Sequence, residues 1–419
     1  MDRSGAVAIA GATGFVGRAL AASLAGRRRV IGLARHPSER GAEGLEWRRC
    51  DLFSLLQVEE ALEGVEQAVY LVHSMLPSAH LTQGVFQDFD LNWVFPTTES
   101  FTARAVTLFR ALIGNLRNHP SIACWIAMNE AGGKKGPAAT LRPGPQLVAA
   151  AHELDPTRPV IKNSEDHNDL ESGDGHDYRG SLGGGRYTDI YGSTEKLVTE
   201  FGVDAPPAAG RLRGIPRALE LLKDVLPRVA ELHDYQYRLI KYYVEHYRIQ
   251  KYAPNAGYFQ FMWIDFCPQS FYGVYDYWGV PKTEGIGGGL KAFEESNQPV
   301  GIFMDYKDAP GPLWAVNDTL ADLGECTASW LVTDESGAEV TRGSAPVRLG
   351  PDSRARVSDL KFPTRPEAAY RIVLDVRAPD GRELARNLYR DPFHHPHQPQ
   401  GHAERMDHEI GMRLWWAPR

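Results

Sequence analysis

Apolar residues follow two rhythms along the chain, short continuous runs and stretches spaced by three and four, and the two alternate for most of its length. The run Ala-Val-Ala-Ile-Ala at 6–10 predicts a buried strand. It leads into Gly11-Ala-Thr-Gly14-Phe-Val-Gly17 and then into apolar positions at helical spacing as far as Gly26, so strand, glycine turn and helix follow one another. Further strands are predicted at 29–34, 45–48 and 68–72, with a helix at 54–63. This succession is the front half of a doubly wound parallel sheet.

From about residue 82 the texture turns to Trp, Pro, Phe and longer connections. Strands are predicted at 84–89, 122–129, 159–163, 173–178, 196–200 and 257–265, and helices at 99–117, at 145–154 and within 215–251. Strand and helix still alternate, as parallel βα architecture requires. After residue 306, short alternating strands separated by turn signals such as Asp334-Glu-Ser-Gly337 and Pro379-Asp-Gly381 predict a small β-sandwich. The C-terminal residues carry His394, His395, His397, His402 and His408 at spacings that fit no regular element. Irregular polar packing or a tail is expected there rather than a metal site.

Composition narrows the function. At 419 residues the chain exceeds one ordinary core, and two or three domains are expected. Basic residues number 46 against 53 acidic, without a basic run, so the electrostatic footprint of a nucleic-acid binder is missing. The cysteines Cys50, Cys124, Cys267 and Cys326 have no ligand spacing. Neither a disulfide framework nor a structural zinc is expected, and a reducing, cytoplasmic location fits. No apolar stretch reaches the length of a membrane span, and neither a membrane span nor a signal peptide is expected.

Two carboxylates stand out by position. Glu130 and Glu200 each end an apolar strand-like run, 70 residues apart. In a barrel of βα units, each roughly 30 residues long, the C-terminal strand ends converge on one face, so both side chains would reach one cleft. Glycoside hydrolysis with retention uses such a pair, about 5 to 5.5 Å apart, one as acid/base and one as nucleophile.

The stretch Arg117-Asn-His-Pro-Ser-Ile-Ala-Cys-Trp-Ile-Ala-Met-Asn129-Glu130 resembles the acid/base segment of glycoside hydrolase family 2. Thr199-Glu200-Phe201-Gly202 looks like that family's nucleophile segment, and Gly257-Tyr-Phe-Gln-Phe-Met-Trp263-Ile-Asp265 is similar to its last barrel strand. Tyr277-Trp-Gly-Val-Pro281-Lys282 resembles the passage from barrel to sandwich, and all these segments occur in the family's order. The resemblance implies Glu130 as acid/base, Glu200 as nucleophile, Asn129 on the sugar 2-hydroxyl and Trp263 against the sugar face. His176 and Tyr178, in Gly-Asp-Gly-His-Asp-Tyr, are further substrate-binding candidates.

At the front end, the glycine turn with Val30-Ile-Gly-Leu-Ala-Arg35 and Cys50-Asp51-Leu52 resembles atypical short-chain dehydrogenases/reductases. That resemblance implies Gly11, Gly14 and Gly17 around a pyrophosphate, Arg35 on the extra phosphate of NADP, and Asp51 and Leu52 beside the adenine. No later Tyr-x-x-x-Lys pair completes it, so a structural cap without bound NADP or NAD is the expectation for this segment.

The expected fold class is therefore α/β: a partial Rossmann segment at 1–82, an incomplete (β/α)8 (TIM) barrel at 83–306, an immunoglobulin-like β-sandwich at 307–392 and a His/Pro-rich tail at 393–419. The expected function is a retaining exo-β-glycosidase of the β-mannosidase or β-galactosidase branch, acting on a β-linked glycoside or oligosaccharide without cofactor or metal. Neither nucleic acid nor membrane is an expected partner. About six barrel strands are legible, and closure takes eight, so an exposed edge would impair turnover or pair copies of the chain. An NAD(P)-dependent oxidoreductase and an inactive chimera are the alternatives.

Overall fold

A computed structural model describes residues 5–10, 12, 15–34, 45–50, 55–70, 84–89, 91–92, 95–131, 143–165, 174–212, 222–223, 225–266, 271–365 and 368–396. Contacts divide the chain into two compact units, Met1–Asn163 and Ser164–Arg419.

The first unit opens with four parallel strands, β1 (Ala6–Ala10), β2 (Arg29–Ala34), β3 (Leu45–Arg49) and β4 (Val65–Tyr70), in the order β3-β2-β1-β4. Every residue of β1 is buried because helix-bearing connections cover both faces of a parallel sheet. Its period of two sorts Ala6, Ala8 and Ala10 into a cluster with Ile31 and Leu33, and Val7 and Ile9 into another with Ala21 and Val30. The helices α1 (Phe15–Leu24) and α2 (Leu55–Ala61) follow β1 and β3. This is the half Rossmann sheet that the apolar rhythm predicts.

A separate parallel sheet follows in the same unit, β5 (Val85–Asp88), β6 (Ile122–Ile126) and β7 (Val160–Ile161) in sequential order. Its crossovers are α3 (Glu99–Leu116) and α4 (Gly144–Leu154). Helix α3 starts where the Thr98 hydroxyl accepts from the Phe101 N–H at 3.2 Å. Its buried residues Thr102, Ala105, Phe109 and Ile113 recur every three or four positions, and the last three share a core with Trp125, Met128 and Leu147.

Asp155, just past α4, accepts from Trp125 Nε1 at 3.0 Å, Thr157 Oγ1 at 2.6 Å and Arg158 at 2.5 Å. Burial pushes its carboxyl up, but the donors of Thr157, Arg158 and Trp125 outweigh burial and hold it down at about 2. A folded value below the unfolded one means that the stabilisation is present above about pH 4 and is lost as pH falls through 2. The native protein is expected to lose about 2 kcal/mol more between pH 5 and pH 2 than Asp155→Asn, measured by urea denaturation at each pH. Equal losses would remove Asp155 as the source.

The second unit holds a third parallel sheet, β8 (Asp174–Asp177), β9 (Leu197–Phe201) and β10 (Gly257–Gln260), in the order β10-β9-β8. The helix Val229–Ile249 is buried through nearly all its length, and Tyr243 stacks on Phe201 of β9 at 5.2 Å. A helix at Gly288–Ser296, which the sequence does not announce, packs beside it. Its glycine-rich opening reads as loop, but a Cβ on Gly289 would lie 2.7 Å from Ile240 and from Val274, so close helix packing explains that residue.

Two antiparallel sheets complete the second unit. One is β11 (Val300–Met304), β12 (Pro312–Asn317) and β15 (Ser353–Asp359), ordered β11-β12-β15. The other is β13 (Gly324–Asp334), β14 (Glu339–Leu349), β16 (Tyr370–Arg377) and β17 (Glu383–Arg390), ordered β14-β13-β16-β17. Ile302, Leu313, Ala328, Val332, Ile372 and Leu374 form one core with both sheets' inner residues, the sandwich expected from alternation. β11 lies within the span read as barrel, yet it pairs with β12. Lys241 and Glu245 of the long helix, 2.8 Å apart, meet Asn387 and Tyr389 of β17 through buried hydrogen bonds.

The parallel βα layers and the sandwich are thus present as expected from sequence. Among the described residues the parallel strands form one four-stranded and two separate three-stranded sheets, and β10 is shorter than the predicted 257–265. Here Trp263 follows the strand rather than lying inside it.

Candidate active site

Register explains the central grouping. β8 and β9 run parallel with His176 opposite Glu200, so the two side chains are neighbours on one face. The period of two along β8 brings Asp174, His176 and, just past the strand, Tyr178 to that same face. Glu200 Oε2 accepts from the Tyr178 hydroxyl at 2.7 Å and lies 3.4 Å from His176 Nδ1. His176 is 1% exposed at its side chain and Glu200 19%, so the carboxylate lies against a buried ring while remaining reachable. Glu165 Oε2 stands 4.0 Å from the same Nδ1.

Behind this pair lies a polar cluster that sequence reading did not single out. Asp174 Oδ2 accepts from Ser164 Oγ and Thr199 Oγ1, each at 2.8 Å, and Ser164 Oγ lies 3.1 Å from His176 Nε2. Ser164 follows β7 and Thr199 precedes Glu200 in β9, so the strand-end positions were a usable signal. Gly202 completes the motif for a steric reason: a Cβ there would lie 2.1 Å from the Phe261 carbonyl oxygen.

In the first unit, Glu130 and Asn129 sit just past β6. The Asn129 N–H donates to Leu91 O at 3.0 Å. Glu130 has a φ of 47°, in the left-handed region, and the next N–H, of buried Ala131, donates to Asn163 Oδ1 at 2.9 Å. Asn163, itself 1% exposed, thus holds the turn that carries Glu130 and was also missed from sequence.

Trp263 is 54% exposed, with its ring 5.4 Å from Tyr275 and 6.0 Å from Phe293, so it is not core packing. Just beyond, Asp265 and Lys282 form an ion pair at 2.8 Å with both side chains 1% exposed. Gly273 N–H donates to Asp265 at 2.6 Å, and Lys282 donates to Phe271 O at 3.0 Å.

His395 of the His-rich stretch packs irregularly, its ring 5.5 Å from Tyr187 and its Nε2 2.5 Å from Lys307 O. His397, His402 and His408 lie outside the described residues, as do Gly11, Gly14, Arg35, Asp51 and Leu52. Gly17 falls within α1. β1 and α1 flank the glycine segment 11–14, most of which lies outside the described residues. Among the described residues no strand continues that sheet beyond β4. Among the same residues no helix is long and apolar enough to cross a membrane.

Two segments match known families. Residues 7–85 match the NAD dependent epimerase/dehydratase family, and residues 312–393 match the Mannosidase Ig/CBM-like domain. A stretch of 87 residues is 28% identical to the auxiliary protein GraX of Staphylococcus aureus, over 20% of this chain and 28% of that protein. Among solved structures the fold is similar to β-D-mannosidase from Dictyoglomus thermophilum, with a TM-score of 0.61 and 17% identity over 88% of this chain and 47% of that one. It is also similar to the exo-chitosanase CsxA of Amycolatopsis orientalis, with a TM-score of 0.55 and 15% identity over 70% of this chain and 39% of that one. The chain therefore spans less than half the length of these structures.

Together these findings show an α/β fold similar to that of the β-D-mannosidase and exo-chitosanase structures, preceded by a Rossmann-like segment. Its C-terminal sandwich is of the mannosidase Ig type.

Proposed function

We propose that this protein is a retaining exo-β-glycosidase of β-mannosidase or β-galactosidase type, with Glu200 as nucleophile. The observation that carries the reading is the setting of Glu200: a strand-end carboxylate that accepts from Tyr178 at 2.7 Å and faces His176 at 3.4 Å, in a β-mannosidase-like fold. Donors aimed at a carboxylate hold it ionised and oriented, which is what attack on an anomeric carbon requires. The carboxylate forms a glycosyl ester as the aglycone leaves, and water then hydrolyses the ester. Glu130 protonates the leaving oxygen and later deprotonates that water, Asn129 binds the 2-hydroxyl, and exposed Trp263 offers a ring to the sugar face.

The test is hydrolysis of a panel of 4-nitrophenyl β-glycosides by the full chain, with a 2-deoxy-2-fluoro glycoside as trap. Turnover with the label on Glu200 supports the reading, and a folded, monodisperse sample without turnover or label refutes it. For the acid/base, Glu130→Ala is expected to lose on the order of 100-fold or more on substrates with poor leaving groups and much less on 2,4-dinitrophenyl glycosides. Azide should restore the latter. A uniform loss across leaving groups would remove Glu130 from that role.

A further inference from the structure

We propose that Asp174, acting through Ser164, keeps His176 doubly protonated, so that Nδ1–H is directed at Glu200. Asp174 is then a positioning residue, and the inference rests on the nucleophile reading of Glu200.

The inference follows from which atoms can donate. Asp174 is a carboxylate that only accepts, and it is 2% exposed. Among the described residues its buried Oδ1 has no hydrogen bond, and its hydrogen bonds converge on Oδ2, from Ser164 Oγ and Thr199 Oγ1 at 2.8 Å and the Glu165 N–H at 3.4 Å. A buried carboxylate with one oxygen already unserved strongly favours keeping both hydroxyl protons on the other. The single proton of Ser164 is thereby used, and its Oγ faces His176 Nε2, at 3.1 Å, as an acceptor. Nε2 must carry a proton.

The other ring nitrogen then decides the charge. In a neutral ring protonated at Nε2, the Nδ1 lone pair would face Glu200 Oε2 at 3.4 Å and Glu165 Oε2 at 4.0 Å. That contact repels, whereas an imidazolium attracts at both ends. Among the described residues, the groups around the ring include Asp174, Glu165, Glu200 and the edge-on ring of Tyr178, with the Glu195 carboxylate against Gly175. None of these named neighbours is a cation. The consequence for chemistry is a fixed positive hydrogen-bond donor beside the nucleophile, which holds Glu200 ionised and aimed before the sugar arrives.

The test reads the ring directly. Protein labelled with 15N-histidine gives long-range 1H–15N spectra in which His176 is assigned by its loss in His176→Gln. Both His176 nitrogens are expected to show protonated shifts at pH 7, and the ring's titration midpoint is expected to fall by about one pH unit or more in Asp174→Asn. Ser164→Ala is expected to move the ring the same way while Ser164→Thr, which keeps the hydroxyl, restores it, so this pair decides if Asp174→Asn fails to fold. A His176 ring with one proton on Nδ1, or one that ignores both Asp174→Asn and Ser164→Ala, overturns the proposal. Rings that respond in a protein without glycosidase turnover refute the functional reading alone, whereas turnover with an unresponsive ring refutes the positioning role alone.

Discussion

Glu200→Ala is expected to lower turnover of the best 4-nitrophenyl β-glycoside by about 10⁴-fold or more while leaving the melting temperature within a few degrees. The size follows from removing the group that, in the proposed mechanism, forms the covalent bond rather than one that assists it. The small structural cost follows from position: Glu200 is partly exposed, and the anchors of its strand are Phe201 and Val198, both fully buried. Added formate or azide can enter the vacated space and is expected to recover part of the rate with an activated substrate. Azide would then yield a glycosyl azide of inverted configuration. A mutant that retains a tenth or more of native turnover would mean that another group attacks. Tyr178→Phe removes the 2.7 Å donor to Glu200 and leaves the carboxylate in place, so its expected loss is smaller, about 10- to 100-fold.

Lys282→Ala is expected to cost about 3–5 kcal/mol of stability, because it leaves the buried Asp265 carboxylate without its cation. Burial already pushes Asp265 up to about 7, against the opposing pull of Lys282 and the Gly273 N–H. A folded value above the unfolded one means that the native state holds the proton more tightly between about pH 4 and 7, so this group's contribution to stability falls as pH rises through that window. Without Lys282 the carboxyl protonates still more readily. The variant should therefore suffer less at pH 5 than at pH 8 in urea denaturation, and replacing both partners by apolar residues should recover most of the loss. A cost below about 1 kcal/mol at both pH values would show that the pair contributes little at this position.

Much of this protein was determined by its sequence alone. The fully apolar run Ala6–Ala10 and the three- and four-residue spacing of α3 carry the parallel layers, and the alternation in β16 and β17 carries the sandwich. Glu200, His176 and Tyr178 were legible for the same reason: each strand places alternate residues on one face, and each lies at or next to a strand end. These are local periodicities, which a linear chain displays without folding. Tertiary structure decided the rest. The pairing of His176 with Glu200 depends on the register between two strands, and the hydroxyls of Ser164 and Thr199 meet Asp174 only after β9 aligns with β8. Asn163 beneath the Glu130 turn, the Asp265–Lys282 pair and the glycine-led helix Gly288–Ser296 belong to the same group. Each answers a buried donor, charge or close contact that exists only once distant segments have packed, so no spacing along the chain could announce it.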